Sequence, residues 1–351
     1  MAEFEAGAAF GAALFASGVY SPDVILTQFN LTNFHMLKSF VTASGVSAIV
    51  LHVANQTHYA TLKVREPRNL GFFPYDGNVI GGAMIGAGMV LTGACPGTVL
   101  VQAGTGRGTF TLIGAVVGGL GYVLALPYLQ HTKPARTQSL RKSHEKQSDA
   151  TVLLATSTSS REPTITATLE ANPLTMVVAW EATCMAILYI ASSLDPHKSQ
   201  PQLAGLISPI TGGLAIGAAQ GVSILLNKHS VGCSGVYQNI GRYLQRTFRS
   251  SIFDPQATSQ LLAPATVFAL GITSASVVLS HHFPPPASAT PGTVVEPVKA
   301  ILGGTIMAFG AGIAGGCTSG HGISGLATFS LSSFVSVAAM FSSGMVAALV
   351  F

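Results

Sequence analysis

The sequence has little charge. Only 9% of its 351 residues are charged, whereas a soluble domain carries about 25%. The mean hydropathy is +0.51. This composition excludes an ordinary soluble domain and predicts that membrane lipid surrounds the chain. The net charge of +4 is scattered along the sequence, whereas nucleic-acid-binding proteins cluster their basic residues, so nucleic acid is excluded as a partner.

Cysteine is scarce as well. The four cysteines form no CxxC pair and no His/Cys cluster at zinc spacing, so the sequence predicts neither a redox dithiol nor a metal site, and no cofactor is expected. The first apolar stretch follows the acidic Glu3 and Glu5 rather than a basic segment. We therefore expect a first membrane helix and not a cleaved signal peptide.

Long apolar runs dominate the rest of the chain. Glycine interrupts several of them, and some are shorter than the roughly 20 residues that a membrane-spanning helix needs. They predict an all-α, multi-pass protein of the cell membrane with about nine transmembrane segments. These segments are 6–20, 36–53, 79–94, 109–129, 174–191, 206–226, 261–279, 298–315 and 329–351.

The sequence repeats itself weakly on either side of a polar insert. "GGAMIGAGMVLTGACPGT" (81–98) aligns with "GGTIMAFGAGIAGGCTSG" (303–320), and "ASGVY" (16–20) matches "CSGVY" (233–237) in the same order. The two motif pairs indicate a duplicated unit, which is typical of transporters. We predict a first repeat half, a polar cytoplasmic linker, a linker helix with its loop, and a second repeat half. Their residues are 1–130, 131–173, 174–205 and 206–351.

Basic residues indicate how the halves are oriented. Lys and Arg concentrate in the loop with Arg65 and Arg68, in the linker, and in residues 228–249. They are scarce in 194–202 and absent from 281–296. The positive-inside rule places the first three regions in the cytoplasm and the last two outside. The halves are then inverted relative to each other.

Two cysteines lie in glycine-rich breaks at the ends of apolar runs, in "GACPGTVLVQAGTGRG" and "GGCTSGHGISG". Irregular backbone at membrane depth is tolerated where it lines a cavity or is enclosed by protein. Free N–H groups at helix starts, together with hydroxyl groups, suit an anion. Cysteine adds a weak, neutral S–H donor. The two breaks therefore predict re-entrant loops near the midplane that line a path for a small anion.

The paired cysteine motifs resemble those of the YeeE/YedE sulfur-transport family, whose members take up thiosulfate. The resemblance implies an hourglass-like permease in which pathway cysteines relay thiosulfate through transient S–H hydrogen bonds. Cys95 and Cys317 match the family's motif cysteines. Ala16 stands where the family has a third pathway cysteine, so that cysteine is either replaced by Cys233 through the repeat symmetry or missing. The other expected pathway residues are Gly93, Pro96, Gly97, Thr98, Gly315, Gly316, Thr318, Ser319, Gly320 and His321.

Two alternative functions remain open. The first is transport of another small species such as sulfite, sulfide or a selenium compound. The second is a membrane sulfurtransferase or thiol-redox enzyme, which needs an activated thiolate beside a basic group or a second cysteine. No Lys or Arg stands next to Cys95 or Cys317 in the sequence, which favours a relay by neutral thiols and a protein that is not an enzyme. The sequence identifies no cytoplasmic sulfur-handling partner.

Three further residues have a structural and a functional interpretation. Cys184 lies in a smooth helical segment, where cysteine usually fills space between helices. His321 is either a pathway donor or a side chain that bonds a loop carbonyl, and the second is favoured. Glu181 is either a proton-coupling carboxylate or an interfacial one near the start of its helix, and again the second is favoured.

Overall fold

The computed structural model describes residues 1–60, 64–131, 164–195, 205–249, 263–284 and 295–350. Within these ranges the chain forms thirteen α-helices, one π-helix and no β-strand. The α-helices are α1 (Ala2–Ala16), α2 (Pro22–Phe29), α3 (His35–Gln56), α4 (Asp76–Thr92), α5 (Thr98–Gly104), α6 (Thr109–His131), α7 (Ile165–Leu169), α8 (Pro173–Leu194), α9 (Pro209–Asn227), α10 (Gly235–Arg249), α11 (Pro264–His282), α12 (Pro297–Ala314) and α13 (Leu331–Val350), and the π-helix is Ser319–Gly325.

Seven helices in the described ranges are long and apolar enough to cross a membrane. They are α3, α6, α8, α9, α11, α12 and α13. The other two predicted segments correspond to α1 and α4, which have 15 and 17 residues. The first segment ends four residues earlier than predicted, because Gly18 adopts a positive φ of 74° just after α1. The chain is a multi-pass integral membrane protein.

Helices from the two predicted halves are intertwined. Helix α1 packs against α11, and the matching helix of the second half, α9, packs against α3. In the same way α12 packs against α6, and α4 packs against α13. Each pair joins one helix from each half, so the two halves share a single core.

Helices α4 and α12 cross at their glycines. A Cβ added at Gly81 would meet the carbonyl oxygen of Gly310, and one at Gly88 would meet that of Gly303. In the sequence alignment Gly81 matches Gly303 and Gly88 matches Gly310. Gly81 therefore contacts the counterpart of Gly88, and Gly88 contacts the counterpart of Gly81. A two-fold relation between the halves would produce this exchange. The exchange supports the inverted repeat, which remains a prediction.

Some predictions concern residues outside the described ranges. Most of the polar linker, residues 132–163, lies there, and so do residues 196–204 and 285–294 of the two predicted external loops. The prediction that these segments are cytoplasmic or external therefore stays a prediction. The domain boundaries that depend on them stay predictions as well.

Glu181 does not lie at the start of its helix. It is the ninth of 22 residues in α8, roughly 12 Å along the helix axis. Its carboxylate faces Gly45 of α3, and the buried oxygen Oε1 has no hydrogen-bond partner among the described residues. The carboxylate therefore lies between two helices, and its interfacial position stays a prediction.

Candidate functional site

Both cysteine motifs fold in the same way. Helix α4 ends at Gly93, with φ of 59°, and α12 ends at Gly315, with φ of 75°. Glycine tolerates this left-handed conformation, which is the usual end of an α-helix. A cysteine follows two residues later in each motif, and a short second helix follows the cysteine, α5 in the first copy and the π-helix in the second. The predicted breaks in the two helices are confirmed.

Cys95 begins the second helix of the first motif. Its backbone N–H donates to Thr98 Oγ1 at 2.7 Å, and the Thr98 N–H donates back to Cys95 Sγ at 3.4 Å. This reciprocal pair resembles a capping box, with the cysteine sulfur in the place of the usual serine oxygen. These bonds hold the Cys95 side chain in place, and its thiol is partly buried.

Cys317 and Cys233 share a neighbour in the second half. The oxygen Ser319 Oγ lies 3.2 Å from Cys317 Sγ and 3.8 Å from Cys233 Sγ. Both cysteines are fully buried. The second half therefore brings two free thiols to one hydroxyl group.

Gly97 connects the two halves of this cluster. A Cβ added at Gly97 would lie 3.4 Å from Cys233 Sγ and 3.9 Å from Cys95 Sγ. The missing side chain leaves a gap that both sulfurs face. The structure thus brings Cys95, Cys233 and Cys317 together around Gly97 and Ser319, and we call these five residues the cysteine cluster.

Two hydrogen bonds fix the first motif to the "SGVY" segments. The Tyr237 hydroxyl donates to the Pro96 carbonyl, across from one half to the other. The amide of Gln102 donates to the carbonyls of Tyr20 and Gly93, at 2.8 and 2.9 Å. Buried carbonyls in a broken helix need such partners, because an unpaired one is costly.

A narrow cavity opens on one side of the cysteine cluster. About 50 Å³ of it is accessible to the centre of a water molecule. Its walls are mostly apolar side chains of α1, α3 and α9, and we call it the apolar cavity. Its polar side chains are Ser39 of α3 and, from the two motifs, Cys95, Thr98, Thr318 and Ser319, and Gly97 also lines it.

Other predicted pathway residues hold the loops and do not line this cavity. His321 is buried, with Nδ1 3.0 Å from Ser333 Oγ and Nε2 3.2 Å from the Ala314 carbonyl oxygen. Both ring nitrogens therefore bond inside the protein, as the favoured interpretation expected. The remaining predicted residues outside the lining of the apolar cavity are Gly93, Pro96, Gly315, Gly316, Gly320 and the two buried cysteines Cys233 and Cys317.

Arg65 is the residue that sequence reasoning missed. Its Nε donates to the Gly320 carbonyl at 2.7 Å, and its Nη1 donates to the Gly315 carbonyl at 3.0 Å. A cation therefore lies against the loop that carries Cys317, although no basic residue stands near that cysteine in the sequence. In the sequence Arg65 was only one of several basic loop residues, and a separation of 255 residues from Gly320 gives no signal of contact.

A second, polar cavity lies on the other side of the cysteine cluster. About 390 Å³ of it is accessible to the centre of a water molecule. Arg65 lines it, and so do Gly232 and Ser234, which flank Cys233. Cys233 therefore lies next to two lining residues of the polar cavity in the chain, and its sulfur lies near Gly97 and Ser319, which line the apolar cavity.

Cys184 lies apart from the cluster. It is buried, at 3% exposure, on α8, which packs against α3. It lines neither cavity. Its environment fits the packing role expected for it, and it offers a matched control for the other cysteines.

Comparisons with known proteins agree with this architecture. Two proteins of Xylella fastidiosa, from strains 9a5c and Temecula1, are each described as a probable transporter and are 32% and 31% identical to this chain over 140 residues. The matched region is 40% of this chain and 90% of each relative, so these relatives are far shorter than this chain. The profile of the sulphur-transport family matches residues 16–346, which include every residue of the cysteine cluster. The chain belongs to this sulphur-transport family, as its resemblance to YeeE/YedE proteins predicts.

Proposed function

We propose that this protein is a permease that takes up thiosulfate through the cysteine cluster. The observation that carries the proposal is the convergence of three free thiols, from both halves of the chain, on Gly97 and Ser319. A thiol donates a weak hydrogen bond without adding a charge. An anion can therefore move from one thiol to the next without being trapped.

The cluster explains how the third cysteine is supplied. Cys233 occupies the position in the second half that Ala16 occupies in the first, and its sulfur faces the gap at Gly97. We infer that Cys233 completes a relay of three thiols. In this relay Cys95 meets the anion in the apolar cavity, and Cys233 and Cys317 pass it towards the polar cavity.

The direction follows from the predicted topology. The apolar cavity is lined by Met36 and Phe40 at the start of α3, which is predicted to lie outside. The polar cavity is lined by Arg65 and by Glu3 at the start of α1, which are predicted to be cytoplasmic. Thiosulfate would then enter through the apolar cavity and leave through the polar one.

Uptake of labelled thiosulfate by cells that lack other sulfur importers tests the proposal. We expect Cys95→Ala, Cys233→Ala and Cys317→Ala each to lower uptake by about tenfold or more, because a lost hydrogen bond to a charged group is worth about 1.5–3 kcal/mol. Cys184→Ala is the matched control and should transport as the wild type does. Equal transport by all four variants, at equal amounts in the membrane, would show that the thiols only pack.

One observation favours a second candidate, a membrane sulfurtransferase. Arg65 holds the loop of Cys317, and a nearby cation can stabilise a thiolate. Such an enzyme would attack the outer sulfur of thiosulfate with the thiolate, forming a cysteine persulfide and releasing sulfite. A persistent mass increase of one sulfur atom on Cys317 after incubation with thiosulfate would favour the enzyme over the permease.

A further inference from the structure

The polar cavity contains a cation, Arg65, that forms no ion pair among the described residues. Arg65 donates its two described hydrogen bonds to the neutral carbonyls of Gly315 and Gly320. Among the described residues, no carboxylate lies within ion-pair distance of its guanidinium group. A partly buried guanidinium group usually pairs with a carboxylate or a similar anion, because its fork of N–H donors fits two oxygens at once. The charge and geometry of this site therefore suit a small anion.

The free nitrogen of Arg65 lies on the cavity side of the loop. Nη2 would be 3.6 Å from a Cβ added at Gly232, the residue before Cys233. Gly232 and Arg65 both line the polar cavity. The guanidinium group therefore stands where an anion released by Cys233 would arrive.

Other groups around the cavity agree with this assignment. The first residues of α10 and α11, Gly235 and Pro264, lie in its wall, and helix starts carry a partial positive charge. The acid in the wall is Glu3, whose Oε1 lies 2.7 Å from Nε2 of His229. One carboxylate oxygen of Glu3 is therefore engaged by His229, while Oε2 is buried without a hydrogen-bond partner among the described residues, and no ion pair joins Glu3 to Arg65.

We propose that the polar cavity is a second anion-binding site, in which Arg65 binds a small divalent oxyanion. The inference rests on the proposed function in that the anion is supplied through the cysteine cluster. Arg65 recognises charge and oxygen atoms and makes no use of a terminal sulfur. The cavity therefore accepts sulfate as well as thiosulfate, and discrimination between the two belongs to the cysteines.

Protection of an introduced thiol tests this site without relying on transport. The four native cysteines are replaced by alanine in the full-length protein, and Ser234→Cys places one thiol in the cavity wall. The rate of its alkylation by N-ethylmaleimide is measured on the purified protein in lipid nanodiscs. We expect thiosulfate and sulfate to slow alkylation several-fold, and chloride at matched ionic strength to have no such effect.

Variants at Arg65 then assign the protection to its charge. Arg65→Gln should abolish protection, and Arg65→Lys, which keeps the charge, should retain part of it. The matched control is Arg68→Gln in the same loop, where the side chain lies against Gly315 but does not line the polar cavity, so protection should persist. Thr57→Cys, an exposed thiol at the end of α3 used in place of Ser234→Cys, should react at the same rate with and without either anion, which shows that the anions do not act on the reagent itself.

Two results would overturn the proposal. One is an absence of protection by either anion, and the other is equal protection in Arg65→Gln. Neither depends on whether the cysteines relay thiosulfate, because the protein under test has none of the native thiols. Failure of the permease proposal appears separately, as alanine variants of the cluster that still transport.

Discussion

The phenol oxygen of Tyr237 lies 2.5 Å from the carbonyl oxygen of Pro96, and this hydrogen bond joins the two copies of the repeat at the cysteine cluster. Tyr237 is among the largest fully buried side chains of the described chain. Tyr237 lies four residues after Cys233 in the chain, and its hydroxyl bonds the loop that carries Cys95. The position of one pathway cysteine thus depends on a side chain that belongs to the segment of another.

Tyr237→Phe should loosen the first motif. The change leaves the buried Pro96 carbonyl without this donor, at a cost of about 1–3 kcal/mol. We expect a lower melting temperature in detergent and slower thiosulfate uptake. Tyr243→Phe on the same helix is the control, since the Tyr243 hydroxyl forms no hydrogen bond with the described residues. Unchanged stability and uptake in Tyr237→Phe would show that the bond does not position the loop.

Serine at positions 95 and 317 distinguishes a thiol from a merely polar group. Serine keeps a small donor, but its hydroxyl is a better partner for oxygen than for sulfur. Hydroxyl donors are already present nearby in Thr98, Thr318 and Ser319, so we expect Cys95→Ser and Cys317→Ser to be as inactive as the alanine variants. Sulfate should then compete only modestly for uptake. Full activity of both serine variants, with strong uptake of sulfate, would indicate an ordinary oxyanion path.

Gly97→Ala should block the passage without unfolding the protein. The added methyl group would lie at ordinary contact distance from the sulfurs of Cys233 and Cys95, so it costs little stability and fills the gap between them. We expect a normal melting temperature and a loss of uptake of about tenfold or more. Gly221→Ala on α9 has similar clearance, 3.6 Å to Val50, and should leave both properties unchanged. Wild-type uptake by Gly97→Ala would place the path elsewhere.

Glu181→Gln should leave transport unchanged. The carboxylate lies between α8 and α3 and lines neither cavity. We expect the uptake rate and its dependence on external pH to match the wild type between about pH 5 and 8. A pH profile that flattens in Glu181→Gln would instead assign proton coupling to this residue.

Single cysteines at equivalent helix ends test the inverted arrangement. Thr57→Cys follows α3, and Phe283→Cys follows α11, the matching helix of the second half. In a background without the native cysteines, an impermeant maleimide added to intact cells should label position 283 and spare position 57. Permeabilised cells should show labelling of both. Equal labelling of both positions in intact cells would contradict the inversion.

Local sequence signals predicted much of the fold. Apolar runs located the helices, and the glycines before Cys95 and Cys317 predicted the breaks, because a left-handed helix end has a strong preference for glycine. The motif alignment also placed Cys233 opposite Ala16, which made it a candidate for the third thiol. These features depend on residues that lie close together in the chain or on a repeat that can be read from it.

Contacts between segments that are distant in the chain could not be predicted from the sequence. The position of Arg65 under the second motif depends on how α3, α4 and α12 pack, and no local pattern reports that. The contact of Glu181 with Gly45 could not be predicted for a similar reason, because it depends on α3 and not on the helix that carries Glu181. The role of His321 could be anticipated, since a buried imidazole in a helix break has loop carbonyls within reach.

The exchange of helices between the halves constrains how the chain is made. The partners of α1 and α4 are α11, α12 and α13, which leave the ribosome after most of the chain has been synthesised. The N-terminal half is therefore synthesised before the helices that cover its glycine-lined faces. The cysteine cluster then forms late in biogenesis, because Cys95 gains the neighbouring thiols of Cys233 and Cys317 only when the second half has packed against the first.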